Sequence, residues 1–191
     1  MSRGLGDVYK RQLILGIVIV AAISGCSKGD NNWDDYAEWR NANNSWLDEK
    51  KKLTNPDGTP YYTELRPGYD KGQYVLAHWF NDRSATAGNL TPYWTSTVDV
   101  KYIGHFYNDV PFDSSYLMKE SYGDSIFRTG LSGVISGWGI VLQEMHVGDS
   151  VEVLIPYQSG YGATGYGSVP PYSNLRFNIK LTNIPYWETK Q

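Results

Sequence analysis

YGATGYGSVPPYSNLRFNIKLTNI, residues 161–184, is the stretch of sequence that decides the fold. Its first half is rich in Gly and Pro, which is typical of a loop made of tight turns. Its second half alternates apolar and polar residues, and the apolar positions are Leu175, Phe177, Ile179 and Leu181. This alternation predicts a strand over Asn174–Ile184 with one buried and one wet face, as in an antiparallel sheet.

Upstream of this strand the same period of two recurs. It predicts three further strands, at Tyr74–Phe80, Thr97–Tyr107 and Ser150–Ile155. Between the second and third of these lies Gly137–Met145, which has the pattern of a short amphipathic helix. The fold class that follows is α+β, an antiparallel β-sheet wrapped on a short α-helix.

A longer helical pattern precedes the sheet, over residues 33–53. Apolar side chains form one stripe along it, namely Tyr36, Trp39, Ala42, Trp46, Leu47 and Leu53. Acidic residues at its start and lysines at its end match the helix dipole. We predict an N-terminal helical extension and interpret the stripe as a packing face rather than a ligand site.

Several kinds of chemistry are disfavoured by the composition. The formal net charge of −3, without a basic patch, argues against nucleic-acid binding. A single cysteine permits no intramolecular disulfide, and the three histidines, His78, His105 and His146, are too dispersed for a zinc motif. Three carboxylates could pair as in a glycosidase, but no motif selects two of Asp109, Asp113 and Glu120. No metal and no cofactor is expected.

Six short motifs stand out instead, and most contain an aromatic residue. In chain order they are Val100-Lys101-Tyr102-Ile103-Gly104, Phe112-Asp113-Ser114-Ser115, Val134-Ile135-Ser136-Gly137-Trp138, Met145-His146-Val147-Gly148-Asp149, Tyr161-Gly162-Ala163-Thr164-Gly165 and Val169-Pro170-Pro171-Tyr172-Ser173-Asn174-Leu175-Arg176-Phe177. Together they resemble the FKBP family of peptidyl-prolyl cis-trans isomerases. The resemblance implies an FKBP-type domain at residues 72–187.

The resemblance also implies which residues form the site. The catalytic residues would be Tyr102, Phe112, Asp113, Trp138, Tyr161 and Phe177. The substrate-binding residues would be Val134, Ile135, Tyr166 and Val169. In the family the tryptophan forms the pocket floor. By the same resemblance, the N–H of Ile135 and the hydroxyl of Tyr161 would donate hydrogen bonds to a proline-containing polypeptide.

Isomerisation in such a pocket requires neither a nucleophile nor a metal. The X-Pro bond is a partial double bond with a rotation barrier of about 18–20 kcal/mol, and its planar form is the more dipolar one. A dry aromatic pocket would weaken the preference for that planar form, and fixed donors would then favour the twisted one.

Three positions depart from the family pattern. Ser125 stands where an aromatic residue is common, Gly139 where an acid is common, and Tyr166 where histidine is common. The segment between Asp113 and Phe127 is also longer than in minimal members, so its flap differs. These departures keep open an alternative function, a non-catalytic envelope chaperone or peptide-binding module.

The N-terminus has the pattern of a targeting segment. Leu13–Ile23 is apolar but short for a membrane span, and it ends at Ile23-Ser24-Gly25-Cys26, which resembles a bacterial lipobox. We predict a signal peptide over 1–26, whose residues 1–12 resemble translated adapter sequence. Cys26 would carry the lipid, and residues 27–71 would form a tether and the helical extension. A signal anchor with an incidental cysteine is the alternative.

The sequence therefore predicts a lipid-anchored isomerase of a bacterial (Bacteroidetes-like) envelope that acts on exported proteins. Ser27 after the cysteine permits an outer-membrane location facing the periplasm. A third hypothesis assigns self-association to the aromatic helix at residues 33–53. The oligomeric state stays open.

Overall fold

The structure of the protein is a computed structural model that describes residues 32–120 and 122–186. The predicted signal peptide, lipobox and Cys26 lie outside these residues. The described residues belong to one compact unit. No helix among them is both long and apolar enough to span a bilayer.

Within the described residues, seven strands form one antiparallel sheet. They are β1 (Thr63–Leu65), β2 (Val75–Trp79), β3 (Thr97–Phe106), β4 (Pro111–Ser114), β7 (Phe127–Gly130), β8 (Ser150–Ile155) and β9 (Leu175–Tyr186). Their order is β1-β2-β8-β9-β3-β4, and β7 also pairs with β3. Two more strands, β5 (Lys119–Glu120) and β6 (Gly123–Asp124), form a separate hairpin between β4 and β7.

The predicted fold class is confirmed, and the four predicted strands become β2, β3, β8 and β9. Their ends differ from the predicted ones by two residues or fewer. The predicted short helix is α3 (Ser136–Leu142), which ends before Met145 because the N–H groups of Glu144 and Met145 bond three residues back and tighten the turn. Strands β1, β4 and β7 are too short to show a period of two.

Helix α3 packs on one face of the sheet and closes the main core. Residues of α3 and of the turn after it are fully buried, among them Val141, Leu142 and Met145. They meet the inward face of the strands, where Leu175, Phe177, Ile179 and Leu181 alternate with more exposed residues along β9. The alternation seen in the sequence is therefore the burial pattern of the strand.

A second helical layer covers part of the opposite face. Helices α1 (Asn32–Asp35) and α2 (Ala37–Lys51) correspond to the predicted extension. Leu47 of α2 packs with Leu76 and Leu154, and Leu76 lies between two residues of β2 that face α3. Because adjacent strand residues point to opposite faces, the sheet lies between α3 and α2.

The buried stripe of α2 differs in part from the predicted one. Leu53 lies beyond the end of the helix and is 43% exposed, whereas the polar residues Arg40 and Asn43 are buried beside Leu47. The spacing of these three residues, three and four apart, is that of one helical face. The stripe is a packing face against the protein's own sheet, which leaves self-association through it without support.

Strand β1 comes from the segment predicted as tether and extension. It pairs with β2 through Thr63, Glu64 and Leu65. The sheet thus begins before residue 72, and the edge strand is supplied by the chain that connects α2 to the rest of the protein.

Candidate active site

A cavity of about 500 Å³ opens between the inner face of the sheet, the start of α3 and the loop that precedes β9. Residues from β3, β4, β7, α3 and β9 and from two loops line it. They are Tyr102, Asp113, Phe127, Gly133, Val134, Ile135, Trp138, Tyr161, Tyr166 and Phe177.

The floor of the cavity is a set of aromatic rings packed edge to face. The Trp138 ring lies 4.9 Å from that of Tyr102 at 83°, and 5.3 Å from that of Phe177 at 87°. Phe127 closes the set, 5.5 Å from Tyr102. Edge-to-face pairs at these separations are favourable because the positive ring edge meets the negative ring face. All but Phe127 are nearly fully buried, so the floor is held by the core itself.

One polar atom on this floor has no protein partner. The Nε1–H of Trp138 is buried and makes no hydrogen bond within the described residues. Leaving a buried donor unpaired costs about 1–3 kcal/mol. The lining residue Trp138 therefore has an apolar ring and an unused hydrogen-bond donor.

The segment Asp113–Ser115 is fastened to the main chain and side chain of Tyr102. The Tyr102 hydroxyl donates to Asp113 Oδ2 at 2.7 Å, and the Tyr102 N–H donates to Ser115 Oγ at 2.9 Å. Ser114 Oγ donates to the Tyr102 carbonyl at 3.3 Å. Each polar residue of this motif thus fixes the rim of the cavity to β3.

The two phenols of the cavity stay neutral at ordinary pH. Burial raises the pKa of Tyr102, and the hydrogen bond to Asp113 raises it further. Burial also raises the pKa of Tyr161, with smaller contributions from the charge of Asp113 and from Tyr166. A phenol titrates near 10 in water, so both hydroxyls remain protonated donors well above neutral pH.

Two hydrogen-bond donors at the cavity are unused. Within the described residues, no hydrogen bond involves the N–H of Ile135 or the hydroxyl of Tyr161. Ile135 is the residue immediately before α3. These are the two donors that the resemblance implies for the proline-containing ligand.

The mouth of the cavity is formed by a loop that depends on glycine. The rings of Tyr161 and Tyr166 stack 5.6 Å apart at 12°, and Tyr166 is 74% exposed. Gly165 between them has φ +70, and a Cβ there would lie 2.4 Å from the carbonyl oxygen of Val169. A larger residue at position 165 would be strained both in its backbone and against its neighbour.

Most of the predicted site residues lie together in the lining. Those that do are Tyr102, Asp113, Val134, Ile135, Trp138, Tyr161, Tyr166 and Phe177. Phe112 and Val169 do not. The centroid of the Phe112 ring lies 4.8 Å from that of Phe106, in a stacked pair, and 5.5 Å from that of Phe177, in an edge-to-face pair. Val169 is buried in the core.

Gly104, the last residue of the first motif, explains why both phenylalanines fit. A Cβ at this position would lie 2.6 Å from Phe177 and 2.8 Å from Phe112. The two rings pack directly against the bare backbone of β3. Phe112 therefore acts on the cavity through Phe177.

Two lining residues, Phe127 and Gly133, were not predicted. Phe127 belongs to β7, which has four residues and no clear alternation. The one signal was an aromatic residue in the apolar pair Ile126-Phe127. Its place in the cavity depends on the pairing of β7 with β3, which sequence periodicity does not reveal.

Two of the three departures from the family pattern, Ser125 and Gly139, have structural causes. Ser125 has φ 64, a left-handed conformation that large side chains rarely adopt. Gly139 lies under Trp94, and a Cβ there would be 2.5 Å from Trp94 Cζ3. An acid at position 139 is excluded by the tryptophan packed over α3.

The titratable side chains form no ligand cluster in the part of the chain that the structure describes. There, no group of three or more His, Cys, Asp or Glu residues is arranged to hold a metal ion. His78 is on β2, His105 on β3, and His146 in the turn before β8. Burial lowers the pKa of His105, and the charge of Arg176 lowers it further.

Comparison with known proteins agrees with this geometry. A family model described as FKBP-type peptidyl-prolyl cis-trans isomerase matches residues 88–182. The Macrophage infectivity potentiator of Trypanosoma cruzi is 37% identical over 99 residues, which are 51% of this chain and 48% of that protein. The isomerase FkpA of Escherichia coli K12 is 34% identical over 90 residues, 47% of this chain and 32% of that protein. This chain thus spans less than half the length of these relatives.

The fold also has solved counterparts. A crystal structure of a peptidyl-prolyl cis-trans isomerase from Pseudomonas syringae pv. tomato matches with a TM-score of 0.60 and 23% identity, over 84% of this chain and 98% of that one. The crystal structure of FkpA from Escherichia coli matches with a TM-score of 0.51 and 24% identity, over 80% of this chain and 59% of that one. At these identities the likeness concerns the fold.

An antiparallel sheet on a short helix, with an aromatic cavity floored by tryptophan, defines a domain of the FKBP type. The matched residues carry the motifs that line the cavity. Residues 88–182 of this domain match the family of FKBP-type peptidyl-prolyl cis-trans isomerases.

Proposed function

We propose that this protein catalyses cis-trans isomerisation of X-Pro bonds in exported polypeptides. The observation that carries the proposal is the aromatic cavity of about 500 Å³ with Trp138 in its floor and the unused donors of Ile135 and Tyr161 beside it. The apolar rings would hold the pyrrolidine ring of proline, since aromatic side chains supply large apolar contact surfaces.

The chemistry follows from the physical properties of the amide. Removing the X-Pro bond from water weakens the stabilisation of its dipolar planar form. The N–H of Ile135 and the hydroxyl of Tyr161 would then bind the twisted geometry more strongly than the planar one. Catalysis by differential binding of this kind requires no covalent intermediate.

The test is a rate measurement on a short X-Pro peptide. We expect the wild type to accelerate isomerisation and Trp138→Leu to reduce kcat/KM at least tenfold. Tyr69→Leu is the control, because Tyr69 is 70% exposed and is not one of the lining residues. Failure of the folded wild type to accelerate the reaction would overturn the proposal.

A second candidate function is supported by the flap, the segment between Asp113 and Phe127. Leu117 is 90% exposed, Tyr116 58% and Tyr122 50%, and all three lie in this segment. Exposed apolar side chains in a segment whose two ends line the cavity suit a non-catalytic chaperone or peptide-binding module. Suppression of aggregation by wild type, lost in a Leu117→Ser/Tyr116→Ser variant, without any rate acceleration, would favour this function.

Envelope location is the remaining part of the proposal, and it rests on the sequence around Cys26. A lipidated cysteine there would anchor the protein in a bacterial membrane, facing the periplasm from the outer membrane. Mass spectrometry of the mature N-terminus tests this directly. We expect a diacylglyceryl-modified Cys26, and we expect Cys26→Ala to move the protein from the membrane to the soluble fraction.

A further inference from the structure

A buried amide pair joins the N-terminal helix to the loop that forms the mouth of the cavity. Asn43 of α2 is 0% exposed and Asn174, at the end of the loop, is 1% exposed. Asn43 Oδ1 accepts from the Asn174 N–H at 2.8 Å, and the Asn43 carbonyl accepts from Asn174 Nδ2 at 2.8 Å. The Nδ2 of Asn43 donates to the Trp39 carbonyl at 2.9 Å, so every polar group of its side chain is used.

The pair reaches both ends of the loop. Asn174 Oδ1 accepts from the N–H of Tyr157, where the loop begins, at 2.8 Å. The carbonyl of Tyr157 in turn accepts from the N–H of Gly162 at 2.8 Å, next to Tyr161. A continuous series of hydrogen bonds therefore leads from Asn43 to the residue beside the cavity phenol.

A second contact from the same helix ends on the same loop. Trp39 Nε1 donates to Ser173 Oγ at 3.1 Å, and Ser173 Oγ donates to the Pro170 carbonyl at 2.7 Å. Two side chains of α2, four residues apart, thus bind the returning arm of the loop. Such buried, fully satisfied polar networks fix one conformation, because any displacement leaves buried groups unpaired.

We propose that Asn43 is a positioning residue, which acts through Asn174 and Tyr157 to hold Tyr161 and the mouth of the cavity in the geometry that binds the substrate. Asn43 lies outside residues 88–182, the part that the family model matches. The helix would then set a property of the site that the shared motifs do not encode. This inference rests on the proposed isomerase function.

The test compares three single substitutions at neighbouring positions of α2 whose side chains make different contacts. Asn43→Ala removes the acceptor of the Asn174 N–H. Asn44→Ala alters an exposed neighbour on the same helix. Leu47→Ala weakens the packing of α2 on Leu76 and Leu154 and removes none of the hydrogen bonds between α2 and the loop. All rates are measured at a temperature at which each variant is folded.

We expect kcat/KM of Asn43→Ala to fall about tenfold, because small displacements of positioning groups have effects of this size or larger. Asn44→Ala and Leu47→Ala should keep the wild-type value, although Leu47→Ala melts at a lower temperature. In a Tyr161→Phe background, Asn43→Ala should cause little further loss of kcat/KM, because both substitutions remove the same contribution of the Tyr161 hydroxyl. Losses that multiply, or an equal loss in Leu47→Ala, would overturn the proposal.

Hydrogen exchange supplies a readout that does not depend on catalysis. The amide protons of Tyr157, Gly162 and Asn174 should exchange faster in Asn43→Ala than in Leu47→Ala. Unchanged protection in Asn43→Ala would refute the positioning role, whereas an inactive wild type with the expected exchange pattern would refute only the isomerase function. If Asn43→Ala does not fold, Trp39→Phe removes the hydrogen bond to Ser173 and is subject to the same comparisons.

Discussion

At the scale of single residues, the site is built from side chains that serve the core and the cavity at once. Tyr102 is 3% exposed, and its ring packs on Trp138 and Phe127 while its hydroxyl reaches Asp113. Truncating such a ring would open a cavity in the core and cost about 3–5 kcal/mol. Only a change that keeps the ring can separate the role of the hydroxyl from that of the packing.

Tyr102→Phe makes this separation. We expect the free energy of unfolding to fall by about 1 kcal/mol, the usual net contribution of one hydrogen bond. We expect kcat/KM to fall severalfold, since Asp113 and the rim lose their attachment to β3. Urea unfolding and the peptide assay measure the two effects, with Tyr69→Phe as an exposed control. A wild-type kcat/KM in Tyr102→Phe would show that this hydroxyl does not position the rim.

Asp149 is the most enclosed charged residue of the described protein, with 0% exposure. Burial alone would raise the pKa of Asp149, but the His146 N–H, the Thr86 hydroxyl, the Asn81 amide and Arg83 together lower it. A carboxylate whose pKa is lower in the folded state stabilises the fold above the unfolded pKa, near 3.9. This stabilisation is lost as pH falls through the folded value.

Asp149→Asn should therefore destabilise the protein most at neutral pH. We expect a loss of about 3 kcal/mol at pH 7, because Arg83 and the surrounding donors would lose a buried anionic partner. The difference between wild type and variant should begin to shrink as pH falls below about 4, because the carboxylate of the unfolded wild-type chain is protonated there first. It should disappear only as pH falls through the lower pKa of the folded state. Urea unfolding at pH 7, 5 and 3 measures it, and a difference independent of pH would contradict this account.

At the scale of elements, the sequence predicted the long strands well because burial and alternation coincide in them. It also predicted the lining residues that belong to ordered family motifs, such as Trp138 and Tyr161. Sequence patterns do not reveal whether a residue lines the cavity when this depends on a neighbour distant in the chain. Val169 is an aliphatic residue of the kind expected in a cavity wall, but it is buried in the core. Phe127 enters the lining because β7 pairs with β3.

The burial of Arg40 and Asn43 on α2 was missed for a related reason. Hydrophobic periodicity selects apolar residues, so it cannot reveal a polar residue that is buried by pairing. Asn43 is buried because Asn174, 131 positions later, satisfies it. A single sequence contains no signal of that partnership.

The loop at the mouth of the cavity contains two glycines, and substitution of one is a control for substitution of the other. Gly165 and Gly167 both have positive φ, +70 and +55, but only Gly165 is crowded, by Val169 and the two prolines after it. Gly167→Ala should cost about 1 kcal/mol, the usual penalty of the left-handed conformation. Gly165→Ala should cost more and raise KM for the peptide, because the loop must move to relieve the contact.

Thermal unfolding and steady-state kinetics of the two alanine variants test this expectation. Equal effects of the two substitutions would mean that the backbone conformation, rather than the contact with Val169, decides the requirement for glycine at position 165.

At the scale of the whole molecule, the main feature is a sheet with a helix packed on each face. The helix predicted as an extension is a layer of the fold, since Leu47 meets Leu76 and Leu154 and β1 completes the edge. A layer attached through apolar packing and buried hydrogen bonds should unfold together with the sheet.

Leu47→Ala tests that cooperativity. We expect it to lower the free energy of unfolding by about 2–4 kcal/mol, the usual effect of removing a buried leucine side chain. The transition should remain single, with far-ultraviolet circular dichroism and tryptophan fluorescence changing together. Two separated transitions would show that α2 melts independently of the sheet.

The chemistry of the cavity has a further consequence for the energy requirements of the cell. Its phenols keep their protons, and rotation about a C–N bond leaves every covalent bond intact. Each turnover would return the protein to its starting state with nothing to recharge. An isomerase with such a site hydrolyses no nucleoside triphosphate, so it can assist folding where nucleoside triphosphates are scarce.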